Sequence, residues 1–140
     1  MKLAMNGAMN RVTRRRLLAA AALGLAPAFA PAQVRDLADA INKAGRQRML
    51  SQRCAKAWLA LGLRVSTPQA EKVLADSMAL FDRQLVELRS FAPQPEIVAT
   101  YQRLDAVWSD YKVLLVGRAP ARDAAGPLLE QAGRVLQLAH

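Results

Sequence analysis

Apolar residues recur along most of this 140-residue chain with the three-and-four spacing of amphipathic helices, and prolines and glycines divide the recurrence into four segments. The first runs from Val34 to Leu63, rich in Ala, Leu, Arg, Lys and Gln, with Gly45 its one glycine before Gly62. At about 100° per residue, Leu37, Ile41, Ala44, Ala55 and Leu59 share one face. A second stripe of Leu50, Cys54, Ala57 and Leu61 stands well around the cylinder. Two apolar faces imply two packing surfaces, one for the domain core and one for a second copy of the chain.

Gly62 to Thr67 reads as a short connection, with Ser66 or Thr67 as helix N-cap and Pro68 at the first helical position. The second helix then extends to Phe91. Val73, Leu74, Ser77, Leu80, Phe81, Leu85 and Leu88 form its inner stripe, and Asp76, Asp82, Arg83, Glu87 and Arg89 are left to water. Pro93 and Pro95 mark the next turn. From Glu96 to Val116 the apolar positions Ile97, Tyr101, Leu104, Trp108, Tyr111 and Leu115 alternate spacings of four and three, the seam of a bundle. Gly117 is placed to end this helix in a left-handed conformation, and Pro120 stops its continuation. Residues 121–139 supply a fourth helix carrying Leu128, Leu129, Val135, Leu136 and Leu138, in which Pro127 invites a break. Four helices with short connectors and no strand signal predict an all-α, antiparallel up-down four-helix bundle. Trp58, Tyr101, Trp108 and Tyr111 are its expected core aromatics.

The start of the chain reads differently. Arg11, Arg14, Arg15 and Arg16 precede an apolar run from Leu17 to Phe29, which is the order of a cleavable signal peptide and is shorter than the roughly 20 residues of a membrane span. Thr13 to Leu18 fits a twin-arginine signal as well as the general secretory route. Small residues at Ala30 and Ala32 allow cleavage before Gln33, taken as the mature start, with cuts after Ala28 or Ala30 as alternatives. Residues 1–32 are thus assigned to the signal and 33–140 to a soluble periplasmic domain without a membrane span.

This division changes the charge argument. The whole chain carries +9, but residues 33–140 hold 15 basic and 11 acidic residues, a net +4. That balance gives no warrant for a nucleic-acid partner. Cys54 is the one cysteine, so an intrachain disulfide is excluded. Core packing is its expected role, and a crosslink between two chains is the alternative.

Catalytic chemistry lacks its parts. The one histidine is the terminal His140. There is no Glu-x-x-His pair of the di-iron bundles, no Cys-x-x-Cys-His haem attachment and no glycine-rich phosphate loop. No enzyme, metal or cofactor is expected.

What stands out is Ile41 to Lys56, which contains Lys43, Arg46, Arg48, Arg53 and Lys56 and no acid. Arg48 falls in the middle of the Leu37–Ile41–Ala44 face. Beside it is Gly45, where alanine would favour the helix by roughly 1 kcal/mol, and Ser51 follows within a turn. Guanidinium forks suit planar oxyanions, and burial between helices strengthens such bonds. Arg46, Arg53 and Lys56 lie off that face, where snorkelling to solvent is the ordinary outcome. An arginine on an apolar face instead wants a partner. An anion held where two copies meet at Ala44, Gly45 and Arg48 would provide one. Asp82 or Asp105 of the same chain would provide another, and would mark a structural role.

The stretch Ile41-Asn42-Lys43-Ala44-Gly45-Arg46-Gln47-Arg48-Met49-Leu50-Ser51-Gln52-Arg53 resembles the signature that opens the periplasmic sensor domain of type IV pili methyl-accepting chemotaxis transducers. It is similar also to the first-helix box of nitrate and nitrite sensor histidine kinases. The second likeness implies an anion bound at a symmetric dimer interface, with Arg48 as principal ligand, Gly45 allowing close approach, Arg53 as the second arginine of the box and Lys43 as its lysine. The pair Arg46-Gln47 resembles the pilus-transducer version. Sensor members carry flanking transmembrane helices and a cytoplasmic signalling portion, and this sequence shows neither, so a partner is expected to carry any signal inward. The expectation is a homodimeric periplasmic protein that binds a small oxyanion, nitrate or nitrite first, through Arg48, Gly45, Arg53, Lys43, Arg46 and Ser51. The alternative is a non-catalytic interaction module for a membrane sensor or pilus-related assembly.

Overall fold

A computed structural model describes residues 33–139, and the signal-peptide assignment and His140 lie outside the described residues. Four helices follow one another: α1 (Leu37–Gly62), α2 (Thr67–Phe91), α3 (Pro95–Gly117) and α4 (Arg122–Leu138). They form the expected all-α antiparallel bundle, with α1 packed most extensively on α2, α3 on α4, and α4 closing against α1.

Helix α1 begins three residues later than the apolar pattern suggests because Asp36 caps it. The Asp36 carboxylate accepts from the Asp39 amide at 2.8 Å, and the Asp39 carboxylate accepts from the Arg35 amide at 3.1 Å. The first bond satisfies an amide that the helix start leaves open, and the second ties the residue before the cap onto the first turn. At the other end, the turn into α2 places Arg64 (φ 55°) and Ser66 (φ 47°) in the left-handed region. Ser66 is the N-cap residue, but its side chain makes no cap bond. Gly62 serves packing: a Cβ there would meet Pro120 of the α3–α4 connection at 3.3 Å.

Two expectations about helix ends are corrected. Gly117 is the last residue of α3 and takes no positive φ, because the chain leaves the helix through an extended Arg118. Helix α4 continues unbroken through Pro127. That proline sits in the second turn, where it removes a single ladder bond that the packing of Leu128, Ala132 and Val135 outweighs.

The core assembles from all four helices: Leu50, Cys54 and Trp58 of α1, Phe81 and Leu85 of α2, Leu104, Trp108, Tyr111 and Leu115 of α3, and Leu128, Ala132 and Val135 of α4. Trp108 stacks on Phe81 with ring centroids 3.8 Å apart and meets Tyr111 edge-on at 5.6 Å. Its indole Nε1 donates to Asp82 Oδ1 at 2.7 Å, and Lys112 Nζ reaches the same oxygen at 2.8 Å. Asp82, expected on the wet side of α2, is therefore half-buried and ties α2 to α3. The Tyr111 hydroxyl donates to the Ser51 carbonyl at 3.1 Å and joins α3 to α1.

Trp108→Ala should remove the stack and leave a cavity, costing about 3–5 kcal/mol in urea unfolding. Trp108→Phe, which keeps an aromatic ring but takes the indole hydrogen bond from Asp82 and leaves it to Lys112, should cost about 1 kcal/mol. Losses below about 1 kcal/mol for the alanine variant would show that the core is not centred on this residue.

Candidate functional site

The basic box lies wholly on α1, and the helix divides it among three directions. One set faces inward. Lys43 Nζ pairs with Glu87 Oε2 of α2 at 2.8 Å and with Asp39 Oδ2 at 3.1 Å. Gln47 is fully buried and its Nε2 donates to the Phe81 carbonyl at 3.1 Å. Ser51 is equally buried, its hydroxyl donating to the Arg48 carbonyl one turn back at 2.9 Å. Lys43 and Ser51 are thus held by groups of their own chain.

A second set lies along one flank. Leu37 and Ile41 are each 63% exposed. Arg48 is half-buried in line with them, and Gly45 is exposed one turn away. The core has chosen the stripe through Ala40, Gln47, Leu50, Cys54 and Trp58, so of the two apolar faces of α1 the one through Leu37 and Ile41 is turned outward at the helix's first half. Ala55 is buried and Leu59 half-buried on the same side because α4 covers α1 there, with Gln52 Nε2 donating to the Ala132 carbonyl at 3.5 Å. A Cβ added to Gly45 would meet nothing within 4 Å, so the packing of the single chain does not require glycine.

Arg48 forms no ion pair among the described residues. The two carboxylates expected as intrachain partners are engaged elsewhere, Asp82 by Trp108 and Lys112, and Asp105 by Arg89 at 2.8 Å.

The third set stands on the opposite flank. Arg46 and Arg53, seven residues apart, fall within about 20° of each other, and Arg53 is roughly 140° around the helix from Arg48. All three of Arg46, Arg53 and Lys56 are exposed. The structure brings Arg53 and Lys56 together along a groove between α1 and α2. It does not bring Arg53 to Arg48 within one chain.

Two residues escaped the sequence reading. Gln47 sits inside the box, yet it is a core residue whose Oε1 finds no hydrogen-bond partner among the described residues. Glu87, expected in water, is 6% exposed. The signal for both was register: Gln47 lies on the stripe of Ala40 and Cys54, and Glu87 on that of Ser77 and Gln84, where polar character masked the period.

Electrostatics follow the packing. The hydrogen bond to Glu87 raises the Lys43 ammonium above its ordinary 10.5, with burial opposing. The backbone bond from Arg35, helped by Lys43, lowers the Asp39 carboxyl below its ordinary 3.8. Burial, aided by Asp82, pushes the Cys54 thiol up to about 12. Burial likewise raises the Tyr101 and Tyr111 phenols. No cluster of three potential metal ligands occurs among the described residues, and none of their helices is long and apolar enough to cross a membrane.

Residues 29–138 match the family model described as type IV pili methyl-accepting chemotaxis transducer N-term, PilJ, and the chain belongs to that family. The methyl-accepting chemotaxis protein McpN of Pseudomonas aeruginosa is 34% identical over 85 residues, covering 55% of this chain and 15% of that protein. The chain thus corresponds to a small part of that relative's length. No solved structure matches it. Membership makes this a non-catalytic, periplasmic sensor-type domain.

Two measurements check the inward set. Glu87→Ala leaves Lys43 with Asp39 as its one carboxylate partner and should cost about 1–2 kcal/mol in chemical unfolding. The stability that Lys43 gains from its raised value is complete below 10.5 and is lost as pH climbs through the folded value. Alkaline destabilisation should therefore shrink in Glu87→Ala, and an unchanged alkaline profile would contradict the pairing. The Cys54 thiol should resist iodoacetamide in the native protein and react only once urea unfolds it. Labelling of the folded chain would show that the thiol is accessible.

Proposed function

We propose that the domain binds a small oxyanion, nitrate or nitrite first, with Arg48 as its principal ligand at a face shared by two copies of the chain. The observation that carries this reading is Arg48 itself, half-buried beside exposed Leu37 and Ile41 and without a carboxylate partner among the described residues. Apolar side chains exposed in line with an unpaired cation suit a surface that is covered when a second helix arrives. The open space at Gly45 allows a close backbone approach there. Two Arg48 guanidiniums converging across that contact repel, and an anion between them relieves the repulsion, so occupancy and association are linked. Nitrate is put first because the box resembles, in sequence, that of nitrate and nitrite sensor kinases. Lys43 and Ser51 support the site by fixing α1 against α2 and α3, and Arg46 and Arg53 add positive potential from the other flank. Occupancy would then be passed to a membrane transducer.

The same exposed Leu37 and Ile41 favour a second reading, in which this face docks directly on a membrane sensor or pilus-related assembly and Arg48 pairs with an acid of that partner. Calorimetry and sedimentation with nitrate, nitrite, sulfate and phosphate separate the two. Nitrate or nitrite should bind saturably and strengthen self-association. Arg48→Ala should abolish both effects while changing stability by less than about 0.5 kcal/mol. Association and heats unaltered by any of the anions, or by Arg48→Ala, would overturn the oxyanion reading.

A further inference from the structure

The α1–α2 groove is not accounted for by the oxyanion reading. It encloses about 660 Å³, a volume within the roughly 300–1,000 Å³ range of small-molecule sites. It follows α1 from Met49 to Ala60, about 16 Å at 1.5 Å per residue. The turn into α2 lines one end through Val65 and Ser66. Small side chains make the trough: Ala57 and Ala70 are buried at its base. Its apolar walls are left partly open to water, with Met49 49% exposed and Val65 55% exposed.

Two cations line the same groove. Arg53 and Lys56 are three residues apart on α1, one turn of the helix, and neither forms an ion pair among the described residues. Asp76, one turn beyond Val73 on α2, is held by Lys72 at 2.6 Å and so does not neutralise them. An apolar trough beside two unpaired cations discriminates by chemistry. A nitrate-sized ion leaves the trough empty, and an uncharged apolar molecule leaves the cations without a partner. A ligand with both an apolar body and one anionic head satisfies both parts, since carboxylate pairing with guanidinium and ammonium adds charge-assisted hydrogen bonds to apolar burial.

We infer that the α1–α2 groove is a second binding site, separate from Arg48, for an amphipathic monocarboxylate of about the length of octanoate, whose head pairs with Arg53 and Lys56 and whose chain lies over Ala57 and Ala70. The inference does not depend on the oxyanion reading, because Arg48 does not line the groove.

Titrating the protein with octanoate, octanol and acetate tests it, followed by calorimetry and by the Met49 methyl resonance. Octanoate should bind at one site and shift that resonance. Octanol, which lacks the head, and acetate, which lacks the body, should each bind at least about tenfold more weakly. The Arg53→Ala/Lys56→Ala pair should lose about tenfold or more in octanoate affinity, and Ala60→Leu should block binding by filling the trough with the charges intact. Arg48→Ala should bind octanoate as the unmodified protein does. Absence of saturable octanoate binding, equal binding of octanol, or undiminished binding by the double variant would each overturn the inference. Loss of octanoate binding in Arg48→Ala would move the carboxylate to the oxyanion face and overturn it as well.

Discussion

Helix α1 has one inward stripe to offer and must satisfy three neighbours with it. The stripe taken is Ala40, Gln47, Leu50, Ser51, Cys54, Ala57 and Trp58, which meets α2 on one side, α4 on the other and α3 across the bundle. Every other feature of the basic box follows from that choice. With Gln47 inside, Arg48 falls on one flank and Arg46 on the other, since neighbours on a helix point about 100° apart. A rotation of α1 that buried Arg48 would expose Gln47 and Leu50, and would take Lys43 away from Glu87.

Polar contacts fix that rotation more sharply than apolar packing could. Lys43 to Glu87 pins the start of α1 to the end of α2, Gln47 to the Phe81 carbonyl pins its middle, and the Tyr111 hydroxyl to the Ser51 carbonyl links it to α3. Leucines tolerate sliding and repacking, whereas these bonds are directional, and losing the Gln47 or Tyr111 bond inside the protein leaves a buried polar group without its partner. The Gly62 contact with Pro120 adds a steric stop at the far end. Whatever approaches the flanks of α1 meets side chains whose bearing is already set.

Much of the fold was legible in the sequence. Four helices, their order and the α3 seam followed from apolar spacing, and the seam residues Leu104, Trp108, Tyr111 and Leu115 are buried as expected. Helix ends were less legible, because capping by Asp36 and the extended exit at Arg118 depend on a few backbone angles that apolar spacing does not encode. Which of the two apolar faces of α1 enters the core was not legible in its first half. Leu37 and Ile41 are apolar and in register, so periodicity alone does not separate their face from the core face, and the residues turned inward there include Gln47 and a half-buried Lys43 whose polarity argues for water. Their partners, Phe81 and Glu87, lie far along the chain, and no local pattern announces such a pairing. The box itself was visible as a concentration of charge. Its division into an inward scaffold and two outward flanks needed the neighbouring helices in place.

In the proposed function, adjacent residues of the box have separate tasks, Gln47 holding the bundle and Arg48 facing the anion. Measuring unfolding free energy and nitrate affinity together on Gln47→Ala and Arg48→Ala tests this most directly. Gln47→Ala should lose about 2–3 kcal/mol of stability through its packing and hydrogen bond while its folded fraction keeps nitrate affinity, and Arg48→Ala should do the reverse. A Gln47→Ala protein of full stability that no longer binds nitrate, or an Arg48→Ala protein that binds it undiminished, would overturn that division of tasks.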